Sequence, residues 1–285
     1  MLGNLEKITN IAPCVTPFIT TNLGKIVLDT DSQNLHISRL VLNHMAIFLG
    51  SNAGEARQMD IDNLKKSIIC GIESAKKTNS NTAVLVGVIR ENLDETIELS
   101  KFSQSHGADA IVITPGYTKG NPYGIRNVIL KSTSLPIFIY NNPEFQNKKN
   151  LSQKFIKNSA KDPRVIGIKD TSRNPEYFSN LLRMRNENFG VFQGDTKAGL
   201  SSSIYNCDGL VAIEANLFPE SLVKLWQENN NKSLRTTLDF YSDNKKEYGG
   251  SIRLTKVMLE NIGIFQTSYM YNELNYYGFP TLRRR

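Results

Sequence analysis

Lys169 directly follows the apolar run Val165-Ile166-Gly167-Ile168 and precedes Asp170-Thr171-Ser172. A β-branched run of this kind reads as a strand buried on both faces, which delivers the ammonium to the edge of a core rather than to bulk water. There the ammonium loses hydration, its pKa falls, and the neutral amine can attack a ketone to form a Schiff base. The rival reading of Lys169 alone is a side chain that snorkels past the strand end to solvent. Tyr140 ends the preceding apolar run. Neighbouring parallel strands lie about 5 Å apart, so this phenol can reach the same bound carbonyl and shuttle its protons.

Two further segments end apolar runs with residues of chemical interest. Gly50-Ser51-Asn52-Ala53-Gly54-Glu55 offers backbone N–H groups, a hydroxyl and an amide, a set suited to a carboxylate. A tight bend without a ligand has the same composition. Thr114-Pro115-Gly116-Tyr117 supplies a second tyrosine, which taken singly reads as readily as a packed aromatic.

The elements that must position these groups recur along the chain. Short apolar runs occupy residues 11–15, 45–49, 83–88, 110–113, 136–140, 165–169, 190–193 and 209–213, with amphipathic stretches between them. Continuous apolar strands alternating with helices mark parallel βαβ units, and eight of them can close into an α/β (β/α)8 barrel, the TIM barrel, with its active residues at the C-terminal strand ends. An open doubly wound sheet competes, but its usual GxGxxG turn is absent after the first run, where Thr16-Pro17-Phe18 stands. Residues 60–77 and 93–106 carry apolar residues at helical spacing, the second before Gly107, a C-cap signal. Further helical patterns at 219–226, 234–248 and 252–261 exceed what a barrel requires. The expected organisation is a barrel over residues 1–225 and a C-terminal helical extension over 226–285, packed on the barrel or on a partner subunit.

Composition narrows the function. The 285 residues match one barrel of about 250 residues plus an addition. No apolar stretch reaches the roughly 18 residues of a membrane span, and Glu6 and Lys7 interrupt the N-terminus where a secretory signal would be apolar. A cytoplasmic protein without a membrane partner is expected. Cys14, Cys70 and Cys207 are far apart and read as buried thiols, while His36, His44 and His106 form no ligand pattern, so neither a metal nor another cofactor is expected. The net charge of +7 is dispersed apart from Arg283 to Arg285, unlike a nucleic-acid footprint, and mildly favours anionic ligands.

The ordered set Thr16-Pro17-Phe18, Gly50-Ser51-Asn52 with Gly54-Glu55, Thr114-Pro115 with Tyr117, Tyr140-Asn141 with Pro143, Gly167-Ile168-Lys169 and Gly194-Asp195 resembles the dihydrodipicolinate synthase / N-acetylneuraminate lyase family of class I aldolases. The resemblance implies a TIM barrel, a homotetramer built as a dimer of dimers, and a Schiff base between Lys169 and pyruvate or another 2-oxo acid. It makes Tyr140 the proton-transfer residue, Tyr117 the completion of a proton relay, and Ser51 and Asn52 the carboxylate binders, with Ala53 lengthening that loop by one residue. Where synthase members carry an arginine for a second carboxylate, this chain has Phe145. Thr171 and Thr196, with Gly194 and Lys197 nearby, fall where the sugar-acid aldolase branches bind substrate hydroxyls. Glu214, at the end of the eighth run, reads either as a hydroxyl ligand or as a structural ion pair. The expected activity is reversible cleavage of a 2-keto-3-deoxy sugar acid, of the 2-keto-3-deoxygluconate type, to pyruvate and an aldehyde. The alternatives are dihydrodipicolinate synthase, N-acetylneuraminate lyase, and a barrel that senses 2-oxo acids or serves as a scaffold.

Overall fold

The apolar runs become the staves of a barrel. In the computed structural model, which describes residues 8–22, 24–195, 207–228, 236, 239–241 and 243–271, eight parallel strands close in the order β1-β10-β9-β8-β7-β6-β5-β4. These are β1 (Asn10–Pro13), β4 (Ala46–Leu49), β5 (Val84–Gly87), β6 (Ala110–Ile113), β7 (Ile137–Asn141), β8 (Val165–Asp170), β9 (Gly190–Gln193) and β10 (Gly209–Val211). Pairing of β1 with both β4 and β10 closes the ring and excludes the open sheet. An antiparallel hairpin of β2 (Phe18–Thr20) and β3 (Ile26–Leu28) precedes the first helix. Its strands are too short to show a clear period in the sequence, and Gly24 at φ +72° belongs to its connection.

The helices begin where side-chain caps occur. Asp60 accepts from Asn63 N at the start of Ile61–Thr78, and Asn92 accepts from Asp94 N and Glu95 N at the start of Leu93–Ser105. Gly107, at φ +87°, supplies the left-handed position just past the second of these helices. Both expected helices are therefore present within a residue of their ends. So is the expected 252–261 segment, as Ser251–Asn261. The helix Pro219–Glu228 runs through residue 225. The expected 234–248 helix lies partly outside the described residues, as do Glu6, Lys7 and Arg283 to Arg285.

Side-chain alternation divides the core into an inner and an outer layer. Phe48, Val112, Phe138 and Phe192 fill the barrel, while Ile47, Ile111, Ile139 and Val191 face the helices. A third cluster joins Val15, Ala53 and Leu217, from loops at the C-terminal strand ends, to Leu254, Leu259 and Phe265. The C-terminal helix thus packs on the mouth of the barrel, where a barrel site belongs. Among the described residues no helix is long and apolar enough to cross a membrane. The three cysteines are buried and unbridged.

Candidate active site

Strand β8 does not keep one phase. Val165 faces the helices and Ile166 the barrel interior, yet Ile168 again faces the helices. The pairing with β7 accounts for this, because Ile137 pairs with Val165 but Phe138 with Gly167, a one-residue register shift. After the shift, Lys169 is the register partner of Tyr140 and turns inward, its Nζ 4.3 Å from the Tyr140 ring centroid and 5.6 Å from that of Phe48. Lys169 is 8% exposed. Burial pulls its pKa from 10.5 down to about 7, against a smaller upward effect of the Glu214 charge. A large share of the amine is then neutral and nucleophilic near neutral pH.

Room for the lysine comes from the residue that follows β9. A Cβ on Gly194 would lie 2.6 Å from Lys169 Cε and closer still to the Thr171 methyl, so any side chain there would displace both groups. Gly194 N donates to Asp170 O at 2.8 Å. Asn141, fully buried, braces the two strand ends, donating through Nδ2 to Asp170 Oδ1 at 2.6 Å and accepting at Oδ1 from Leu151 N at 2.9 Å.

Tyr140 is buried, and that burial raises its pKa, which keeps the phenol protonated. Its oxygen accepts from Asn142 Nδ2 at 3.0 Å and from Thr171 Oγ1 at 3.5 Å. The single Thr171 hydroxyl proton also faces Asn141 O at 3.2 Å, so Thr171 Oγ1 can in turn accept the phenolic proton or leave it for a bound oxygen, as a proton-transfer residue requires.

Ser51, Asn52 and Ala53 line the same cavity of about 180 Å³ as Lys169, Tyr140 and Thr171. The loop is tightly tied. Ser51 Oγ accepts from Gly54 N at 3.1 Å, Thr16 Oγ1 donates to Gly54 O at 3.0 Å, and Ala56 N donates to Ser51 O at 3.2 Å. Gly50 sits at φ +59°, and a Cβ there would lie 2.7 Å from Gly87 O. The tight end of β4 therefore requires glycine.

The other expected residues are placed differently. Tyr117 lines an adjacent cavity of about 550 Å³ with Arg57, whose guanidinium carbon is 4.5 Å from the Tyr117 ring centroid and 4.1 Å from that of Phe145. Phe145 stands between the two tyrosines, its ring centroid 5.8 Å from that of Tyr117 and 6.4 Å from that of Tyr140. Glu214 lies half-buried in the turn Ile213–Asn216 after β10 and acts on Lys169 through its charge. Thr196 and Lys197 lie outside the described residues.

Several groups escape a reading of the sequence. Asn142 resembles an ordinary turn former before proline, and its side chain also accepts from Glu144 N. Glu144 and Arg173 line the cavity, with Arg173 at φ +55° and its Nε 2.5 Å from Asp195 Oδ2. Ser251 and Ile252 reach the cavity from the C-terminal helix, a contact no local pattern encodes.

Comparison with known proteins gives a consistent relationship. The model of the dihydrodipicolinate synthetase family matches residues 9–270. A 4-hydroxy-tetrahydrodipicolinate synthase of Methanospirillum hungatei is 26% identical over 219 residues, covering 75% of this chain and 73% of that protein. A 2-dehydro-3-deoxy-D-gluconate/2-dehydro-3-deoxy-phosphogluconate aldolase of Picrophilus torridus is 31% identical over 169 residues, covering 57% of this chain and 62% of that one. Among solved structures, the dihydrodipicolinate synthase of Bacteroides thetaiotaomicron superposes with a TM-score of 0.80 at 26% identity, covering 93% of this chain and 92% of that one.

Proposed function

The chain belongs to the dihydrodipicolinate synthetase family, and from that premise we propose that it is a class I aldolase that reversibly cleaves a 2-keto-3-deoxy sugar acid, of the 2-keto-3-deoxygluconate type, to pyruvate and an aldehyde. The observation that carries this reading is the inward-turned Lys169, its pKa lowered to about 7, paired in register with Tyr140 above the loop of Ser51, Asn52 and Ala53.

In the cleavage direction the neutral Lys169 amine adds to the C2 ketone, and Tyr140 gives its phenolic proton to the departing hydroxyl, so that water leaves and a protonated imine and a tyrosinate remain. Tyr140 removes the C4 hydroxyl proton as the C3–C4 bond breaks, and the bonding pair flows into the imine to leave an enamine. Protonation at C3 and hydrolysis release pyruvate and return the amine. Ser51, Asn52 and Ala53 hold the carboxylate. Thr171, Gly194, Thr196 and Glu214 bound the hydroxylated end, and Tyr117 is the outer member of the proton relay. The sequence chemistry calls for no cofactor, and the assembly we propose is a homotetramer.

Phe145, its ring centroid 6.4 Å from that of Tyr140, puts no charge where an arginine would pair with a second carboxylate, and so supports a sugar acid over a dicarboxylic product. A second reading, synthase activity with aspartate semialdehyde, is favoured by Arg173, a cation lining the cavity. Borohydride reduction in the presence of pyruvate, followed by peptide mass spectrometry, tests the common chemistry. An adduct on the Lys169 peptide that disappears in Lys169→Ala supports the reading, and no adduct in the wild type rejects it in favour of a sensor or scaffold. Cleavage of 2-keto-3-deoxygluconate against condensation with aspartate semialdehyde then separates the two readings.

A further inference from the structure

Glu55 closes the loop that we read as the carboxylate binder, but its side chain turns into the helical extension. Its backbone sits at φ +59°, a region that a residue with a side chain holds only when its surroundings fix it. The carboxylate is 1% exposed. Its Oε1 accepts from Lys256 Nζ on the helix Ser251–Asn261, and its Oε2 accepts from Tyr271 N at 2.8 Å. Lys256 is itself fully buried; it also donates to Tyr269 O at 2.8 Å and lies 4.4 Å from the Phe18 ring centroid. The loop, the hairpin, the C-terminal helix and the segment beyond it thus meet on one ion pair.

A buried pair of this kind gives little net stability over apolar residues of the same shape, because desolvation offsets the attraction. What it supplies is direction. Glu55 N donates to Asn52 O at 3.1 Å, and Gly54 N is held on Ser51 Oγ, so the orientation of Glu55 is transmitted at once to residues 51–54. We propose that Glu55 and Lys256 are positioning residues, through which the helical extension sets the geometry of the carboxylate loop. The proposal rests on the reading of residues 51–53 as the site for the 2-oxo acid carboxylate.

The test compares wild type with Glu55→Gln, Lys256→Met and the double variant, by hydrogen exchange of residues 50–56, thermal unfolding, and the pyruvate concentration that half-saturates borohydride trapping. The double variant leaves no unpaired buried charge and so guards against a single variant that fails to fold. The expected result is faster exchange in this loop and a half-saturation raised by about ten-fold or more, with the maximal adduct retained. In the double variant the unfolding temperature recovers, whereas the half-saturation stays high; a merely structural pair would restore both. Unchanged exchange in a folded variant, or faster exchange with unchanged half-saturation, overturns the proposal. If wild type forms no adduct while exchange is still faster in the variants, the carboxylate reading fails and the control of the loop by the extension stands.

Discussion

Tyr140 faces Lys169 across β7 and β8 because the strands slip by one residue between the Ile137–Val165 pair and the Phe138–Gly167 pair. Side chains alternate along a strand, so without the slip Lys169 would share the outward phase of Val165. Inserting one alanine between Gly167 and Ile168, which adds a residue after the bulge and turns Lys169 outward, is expected to abolish pyruvate trapping at Lys169, whereas Ile166→Val, which keeps the count, retains it. Mass spectrometry of the reduced adduct reads both.

The lowered pKa of Lys169 sets a pH dependence. Below about 7 the amine is protonated and cannot attack. The rate of imine formation should fall about ten-fold per pH unit on that side and level off above it. Glu214 raises the pKa of Lys169, so Glu214→Gln is expected to move the acid limb to lower pH. Stopped-flow trapping across the pH range measures the limb, and an unmoved limb would remove Glu214 from the electrostatics of the site.

The same shift bears on stability. The folded state holds Lys169 near pKa 7 while the unfolded chain holds it near 10.5. The unfolded state therefore binds more protons between these values, and stability from this group rises with pH through that window. Lys169→Met should raise the urea midpoint most below pH 7, with the advantage shrinking towards the upper value. Unfolding curves at about pH 6 and about pH 9 check the sign.

The two tyrosines should differ. Tyr140 shares the Lys169 cavity and Tyr117 lies behind Phe145. Tyr140→Phe is expected to lower turnover by about 100-fold, and Tyr117→Phe by less than about ten-fold. Steady-state kinetics distinguish them, and equal losses would draw Tyr117 into the relay directly.

Gly194 is the tightest point around the nucleophile. A single added methyl would press on Lys169 Cε and Thr171. Gly194→Ala should destabilise the fold by about 1–3 kcal/mol and suppress adduct formation more strongly than that loss of stability explains. Calorimetry and trapping on the same preparation separate the two effects.

The barrel was legible because eight apolar runs separated by amphipathic stretches admit few packings. Lys169 and Tyr140 were legible as polar residues ending such runs. The bulge in β8 was not, since a strand buried on both faces shows no alternation from which a phase change can be read. Asn142 was hidden by its resemblance to a turn residue, and the hairpin by its short strands. Pairing of Glu55 with Lys256 leaves no local trace because 201 residues separate the partners. Arg57 looks like a surface cation in the sequence, yet its guanidinium is held between the Tyr117 and Phe145 rings.

That separation also orders events in time. A chain synthesised from its N-terminus carries loop 51–55 and Lys169 long before Lys256 exists, and β1 must wait for β10 before the ring can close. Contacts so distant in sequence form slowly. The nucleophile is therefore made early and its frame late, so in refolding the recovery of pyruvate binding should lag behind the recovery of helical signal. Newly made chains pass through an interval in which they have barrel sequence but no working catalyst.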